Sequence, residues 1–328
     1  MSGRDLRNQR RMNDELQQAS AEVTRSPGFR AWFRPPFKNR GGLSSLQFMP
    51  LYLFAGIVLF LVISIGAGYL LPARFPRLWG EFFAEVALAA AAILPACLIA
   101  TIEQRPFGLY GLSGSQAFGK HFWAGVAWGT AAVSVLLCAM RLTGAFYFGD
   151  VVLRGARLGK FAIFWAVFFL CVALFEEFAF RGYALFAFSE AAGFWPSALL
   201  LAVIFGYTHR SNPGESWMGA MGAGVIGLFF AFTRLRTGSL WFAVGMHASW
   251  DWAQTFIYGV PDSGATLPGH MLRGQLRGPA WLSGGSVGPE GSALLLILIA
   301  ILWVAFDRLY PARRQSAQGQ ISLSHFQE

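Results

Sequence analysis

The chain has 328 residues, 55% of them hydrophobic and only 13% charged, with a mean hydropathy of +0.46, values that exclude an ordinary soluble domain and require lipid as solvent. The formal net charge is +9. Nine of the 26 basic residues precede the first apolar run, where a basic flank meets anionic lipid, so the charge argues for a membrane and against a nucleic-acid partner.

In chain order, residues 1–46 are polar and basic, too long and too acidic for the n-region of a cleaved signal peptide, and are expected to remain as a cytosolic tail. Apolar stretches long enough for a bilayer then recur near 47–71, 82–101, 122–143, 161–188, 195–210, 217–234, 238–258 and 291–309, at about twenty residues per roughly 30 Å of hydrocarbon. The predicted fold class is therefore all-α, a polytopic transmembrane helix bundle of about eight spans over 47–310, with its working core near 160–260 and a polar C-terminal tail at 311–328. The first, second, third and last stretches read as plain hydrophobic anchors, whereas the middle four carry ionisable groups.

Cys97, Cys138 and Cys171 lie inside apolar runs without metal-ligand spacing, which argues against a disulfide framework or a zinc knuckle. Gly125 and Gly129, and Gly219, Ala223 and Gly227, place small residues one helical turn apart, a pattern of close helix packing within one chain. The loop from Val260 to Glu290 is rich in Gly, Pro and Ser and reads as a lid or as a plain connector. With eight spans and a cytosolic N-terminus, inside segments hold 16 basic residues against 8 outside, which favours both termini inside. Without the N-terminal tail the balance is 7 against 8, so the tail decides it.

A charge within hydrocarbon costs at least about 2.5–3.5 kcal/mol, so an intramembrane carboxylate marks a candidate site. The fourth stretch contains Glu176-Glu177-Phe178-Ala179-Phe180-Arg181. Glu177 and Arg181 are four residues apart and about 40° from one another around a helix, so they are expected to pair. Glu176 lies about 140° from Arg181, lacks a helix-local partner, and is expected to face a polar cavity. The fifth stretch ends with Phe205 and His209 on one face. In the seventh, His247 and Asp251 share a face, where the carboxylate either orients the imidazole or points with it into one cavity.

These segments resemble a known family. Glu176 to Arg181 match E-E-x-x-x-R, Phe205 to His209 match F-x-x-x-H, and His247 to Asp251 match H-x-x-x-[N/D], in the order seen in the CPBP intramembrane proteases, which include CAAX prenyl endopeptidases and bacterial Abi proteins. The likeness covers roughly residues 160–260, and Arg105 to Leu112 is similar to the segment that often precedes that core. The resemblance implies that Glu176 activates water, that Glu177, Arg181 and Phe205 support it, that His209 binds or polarises the water, and that His247 and Asp251 line the oxyanion side. The family commonly has Asn at the last position, whose amide donates a hydrogen bond, whereas an ionised Asp251 only accepts. Asp251 is then left to orient His247, to stay protonated or to ligate a cation.

An aspartyl dyad needs two intramembrane aspartates and only Asp251 is found in the middle four apolar stretches; no H-E-x-x-H occurs; and Ser249 is two residues from His247, facing elsewhere on the helix. The expected activity is hydrolysis of peptide bonds in membrane-embedded or lipidated peptides, in the bilayer of a bacterial inner membrane. No cofactor is favoured. A zinc-dependent form would use His209, His247 and Asp251 as ligands, and the other class of reading is a non-enzymatic scaffold, an immunity factor or a proton-coupled carrier.

Overall fold

The computed structural model describes residues 45–70, 76–212 and 214–311; the expected tail up to residue 44 and the expected C-terminal tail beyond 311 lie outside the described residues. The chain is a helical bundle: α1 Met49–Leu70, α2 Arg77–Ile102, α3 Lys120–Leu142, α4 Gly155–Arg181, α5 Tyr183–Ala192, α6 Phe194–His209, α7 Trp217–Thr237, α8 Trp241–Trp252, the short α9 Ala280–Ser283 and α10 Ala293–Leu309. A π-helical turn, Ala253–Tyr258, continues α8. The two-residue strands β1 Phe146–Tyr147 and β2 Gln275–Leu276 pair antiparallel. All eight predicted apolar stretches are helical, and the chain is an integral membrane protein.

The span count differs from the sequence expectation. Among the described residues, five stretches are long and apolar enough to cross a bilayer: Ser45–Tyr69, Arg77–Ile102, Lys120–Leu142, Gly155–Ala192 and Trp217–Thr237. The 16 residues of α6 cover about 24 Å at 1.5 Å each, short of the roughly 30 Å hydrocarbon thickness. The 12 residues of α8 and the 17 of α10 also fall short of a full span as regular α-helix. Apolar composition marked where the chain enters lipid, but turn residues such as Gly193 and the widening at Ala253 shorten the regular helices.

The fourth stretch is not one continuous helix. Gly182 leaves α-helical geometry between α4 and α5 (φ −84°, ψ −116°), and a side chain there would collide with the Phe178 carbonyl and ring. Arg234 of α7 donates to the carbonyls of Arg181, Gly182 and Leu109. One guanidinium thus satisfies backbone acceptors that the bend releases, a requirement that lipid makes strict.

The glycine pair in α3 packs within the chain, as its spacing suggested. Gly125 meets the backbone of Phe242 and Met246, and Gly129 meets Met246 and Ser249, so any side chain at either position would overlap α8. Gly245 approaches Phe122 from the opposite side. With little hydrophobic force between helices in lipid, such close backbone contact supplies the packing energy.

Both described ends of the chain lie at one end of the bundle. The Tyr183 hydroxyl donates to the Ser45 carbonyl at 2.8 Å, Arg105 pairs with Glu190 at 2.6 Å, Leu240 bonds to Gly111, and Asp307 near the end of α10 pairs with Arg236. The other end is closed by β1, β2 and the backbone bond between Val152 and Met271.

Candidate active site

Side chains from α2, α4, α6, α7, α8 and the loop after α8 surround a cavity of about 970 Å³, at the upper end of the range for small-ligand sites. Glu176, His209, His247 and Asp251 all line it. The structure thus brings together four residues that lie on three separate helices.

Adjacent residues of a helix point about 100° apart, which splits the two glutamates of α4. Glu176 faces the cavity with its side chain 24% exposed. Glu177 turns inward and is fully buried. Its Oε1 accepts from Arg181 Nη1 at 3.4 Å and from His247 Nδ1 at 2.9 Å. The expected Glu177–Arg181 pair is therefore present, but Glu177 is also the closest polar partner of His247.

Arg181 is held by packing as much as by charge. Its guanidinium lies 4.0 Å from the centre of the Phe205 ring, and its Nη2 occupies the space a side chain at position 227 would need. Gly227, read from sequence only as a packing residue, leaves room for this buried cation. Phe205 in turn contacts His209, with ring centres 4.5 Å apart and edge-on. The Nδ1 of His209 donates to the Phe205 carbonyl at 2.8 Å, which leaves Nε2 as the ring's remaining polar atom.

The His247 ring stacks on Phe230 at 5.7 Å, while its Nε2 lies 3.4 Å from Asp251 Oδ2 and 3.7 Å from Glu176 Oε2. The geometry accommodates both sequence readings of Asp251, a carboxylate beside the imidazole and a cavity shared with it. The hydrogen bond that sets the ring comes from Glu177, on another helix.

Five lining carboxyls were not identified as site residues by the sequence reading: Glu81, Glu85, Glu215, Asp262 and Glu290. Glu85 belongs to α2, taken as a plain anchor, yet it lines the cavity; the cost of an acid in an apolar run, applied to Glu176, applies equally to Glu85. Glu215 precedes α7, and burial pushes its carboxyl up. Asp262 and Glu290 come from opposite ends of the Gly- and Pro-rich loop, which forms a wall of the cavity through Thr266, Leu267 and Pro268. The loop is tied down: Thr255 donates to Asp262 at 3.0 Å, and Glu290 Oε2 accepts from the Ser263 amide at 2.8 Å and its hydroxyl at 3.1 Å. Burial pushes the Asp262 carboxyl well up, reinforced by Asp251 and Glu290 beside it.

Asp251, Asp262 and Glu290 are, among the described residues, the group of three side chains whose potential metal-ligand atoms lie within 4.8 Å of one another. The trio His209, His247 and Asp251 does not form such a group.

A membrane helix bundle that gathers carboxylates and histidines around an internal cavity has the form of an intramembrane hydrolase. Residues 158–253 match the family model described as Type II CAAX prenyl endopeptidase Rce1-like. That segment contains Glu176, His209, His247 and Asp251, and the match supports the resemblance to the CPBP/CAAX protease family. No curated protein and no solved structure matches the chain.

Proposed function

We propose that the protein is an intramembrane endopeptidase in which Glu176 activates water without a metal. The observation that carries this reading is the placement of Glu176 and His247 on one cavity, with Nε2 and Oε2 3.7 Å apart, inside the segment that matches a protease family. Glu176 removes a proton from water as the oxygen attacks the scissile carbonyl. His209, its Nδ1 committed to the Phe205 carbonyl, positions that water through Nε2. His247, when protonated, donates from Nε2 to the developing oxyanion, a charge best stabilised by a donor already in place. The tetrahedral intermediate then expels the amine, which takes up the proton held by Glu176, and a peptide carboxylate remains. Asp251, with Oδ2 3.4 Å from His247 Nε2, is the neighbouring charge that the oxyanion replaces as the partner of that nitrogen. The substrate is a membrane-associated peptide.

The test is Glu176→Gln in purified protein. Loss of about 10²–10⁴-fold in peptide cleavage is expected for removal of a general base, with unchanged yield and thermal stability. Equal cleavage by the variant and the wild type would end this reading.

A further inference from the structure

We propose that the end of the bundle carrying β1 and β2 holds a binding site for the headgroup of an anionic phospholipid, built on Tyr147, Arg141 and Arg277. The guanidinium carbons of Arg141, in the last turn of α3, and of Arg277, just after β2, each lie 4.9 Å from the centre of the Tyr147 ring. One aromatic side chain thus holds two cations, each drawn to the electron-rich ring. Neither guanidinium forms an ion pair among the described residues. Arg277 donates from Nη2 to the Gln275 side chain at 2.8 Å, which leaves further N–H donors on both arginines for an acceptor from outside the chain. The surroundings are basic as well. Residues 141–160 and 273–277 contain six basic residues and one acid, Asp150. Arg154, Arg157 and Lys160 at the start of α4, and Arg273 before β2, are exposed and pair with no carboxylate among the described residues. Backbone bonds hold the two segments together, from the Arg273 amide to the Asp150 carbonyl and from the Arg277 amide to the Ala145 carbonyl, both at 2.9 Å.

The position of the patch identifies the anion as a lipid. The helix α3 ends at Leu142 and α4 begins at Gly155, and both belong to stretches long and apolar enough to cross a bilayer. The segment between them therefore leaves the hydrocarbon at the level of the headgroups, where Tyr is favoured and basic side chains meet anionic lipid. Leu142 is 90% exposed, and Phe148, Val151 and Val152 are exposed close by in sequence. Cations bordered by open apolar surface match a molecule that carries a phosphate and acyl chains together. Arginine suits the phosphate, because its planar fork can give two parallel hydrogen bonds to the phosphate oxygens. The site lies outside the cavity and makes no use of its chemistry.

The full chain in a neutral detergent is titrated with dioctanoyl phosphatidylglycerol, with dioctanoyl phosphatidylcholine and with inorganic phosphate. Bound lipid is counted by native mass spectrometry, and the melting temperature is recorded alongside. Phosphatidylglycerol is expected to bind about tenfold or more tightly than phosphatidylcholine at low salt and to lose much of that advantage at high salt. Inorganic phosphate at the same concentration should neither raise the melting temperature nor displace the lipid. Arg141→Gln and Arg277→Gln should each weaken phosphatidylglycerol binding about fivefold. Tyr147→Leu should weaken it as well, because the guanidiniums lose the ring that holds them, whereas Tyr147→Phe should bind as the wild type does. Lys120→Gln, at the opposite end of α3, should leave binding unchanged. Equal affinity of the wild type for the two lipids would overturn the proposal without recourse to any variant. A preference that survives both arginine substitutions, or that falls equally with Lys120→Gln, would belong to the overall charge of the protein and overturn the site. Displacement of the lipid by inorganic phosphate would make the patch a site for free anions and overturn the assignment to lipid.

Discussion

Glu177 of α4 and His247 of α8 are seventy positions apart in the chain, and the 2.9 Å contact between the carboxylate Oε1 and the imidazole Nδ1 joins the two helices at the floor of the cavity. The same oxygen accepts from Arg181, so a single buried carboxylate both balances a buried guanidinium and fixes the tautomer and direction of a cavity histidine. Nε2 is thereby turned toward Asp251 and Glu176. Adjacent glutamates in the sequence have separate tasks because a helix turns them to different surroundings.

This geometry distinguishes the two glutamate substitutions. Glu177→Gln leaves the Arg181 charge buried without its counter-ion, a change of the kind that costs about 3–5 kcal/mol, and frees the His247 ring. The folded yield should fall, and the protein that does fold should show a lower kcat with little change in KM. A Glu177→Gln protein with wild-type stability and kcat would show that the contact positions nothing.

Phe205 packs on Arg181 and on His209 at once. Phe205→Leu keeps an apolar side chain but removes the ring face from the cation, an interaction worth about 2 kcal/mol when desolvated. The expected result is a lower melting temperature together with reduced cleavage, since His209 loses the ring that sets its plane. Reduced stability with full activity would confine Phe205 to a packing role.

The raised Asp262 carboxyl makes a prediction about pH. The folded state holds this proton more tightly than the unfolded chain, whose ordinary value is 3.8. The associated stability is therefore complete below that value and is lost as pH rises through the higher folded one. Asp262→Asn keeps an oxygen to accept from Thr255 and carries no charge at any pH. Melting temperatures at pH 5 and pH 8 should show a smaller decline for the variant than for the wild type; a steeper decline in the variant would contradict the assignment.

Metal removal gives a further prediction. Each histidine already commits Nδ1, one to Glu177 and one to the Phe205 carbonyl, and His209, His247 and Asp251 do not gather their ligand atoms within 4.8 Å. Cleavage should persist after exhaustive dialysis against a strong chelator, with well under one zinc per chain by elemental analysis. Loss of activity on chelation and its return with added zinc would make these three residues metal ligands instead.

The sequence by itself determined that this chain lives in lipid, because long apolar runs with so few charges have no other solvent, and it located the helices that carry the work, because ionisable groups are costly in such runs. The i, i+4 spacing of Glu177 and Arg181 and the turn between Glu176 and Glu177 follow from helix geometry alone, so the division of the two acids was legible before any packing was known. Tertiary structure decided the rest. The contact between Glu177 and His247, the seat of the Arg181 guanidinium over Gly227, and the gathering of Glu85, Asp262 and Glu290 around one cavity join segments tens to more than a hundred residues apart, and no local periodicity encodes which helix faces which. The true lengths of α6 and α8 were hidden for a related reason: hydropathy measures how far a chain prefers lipid, whereas Gly182, Gly193 and the π-turn after Trp252 set where its backbone remains a regular helix.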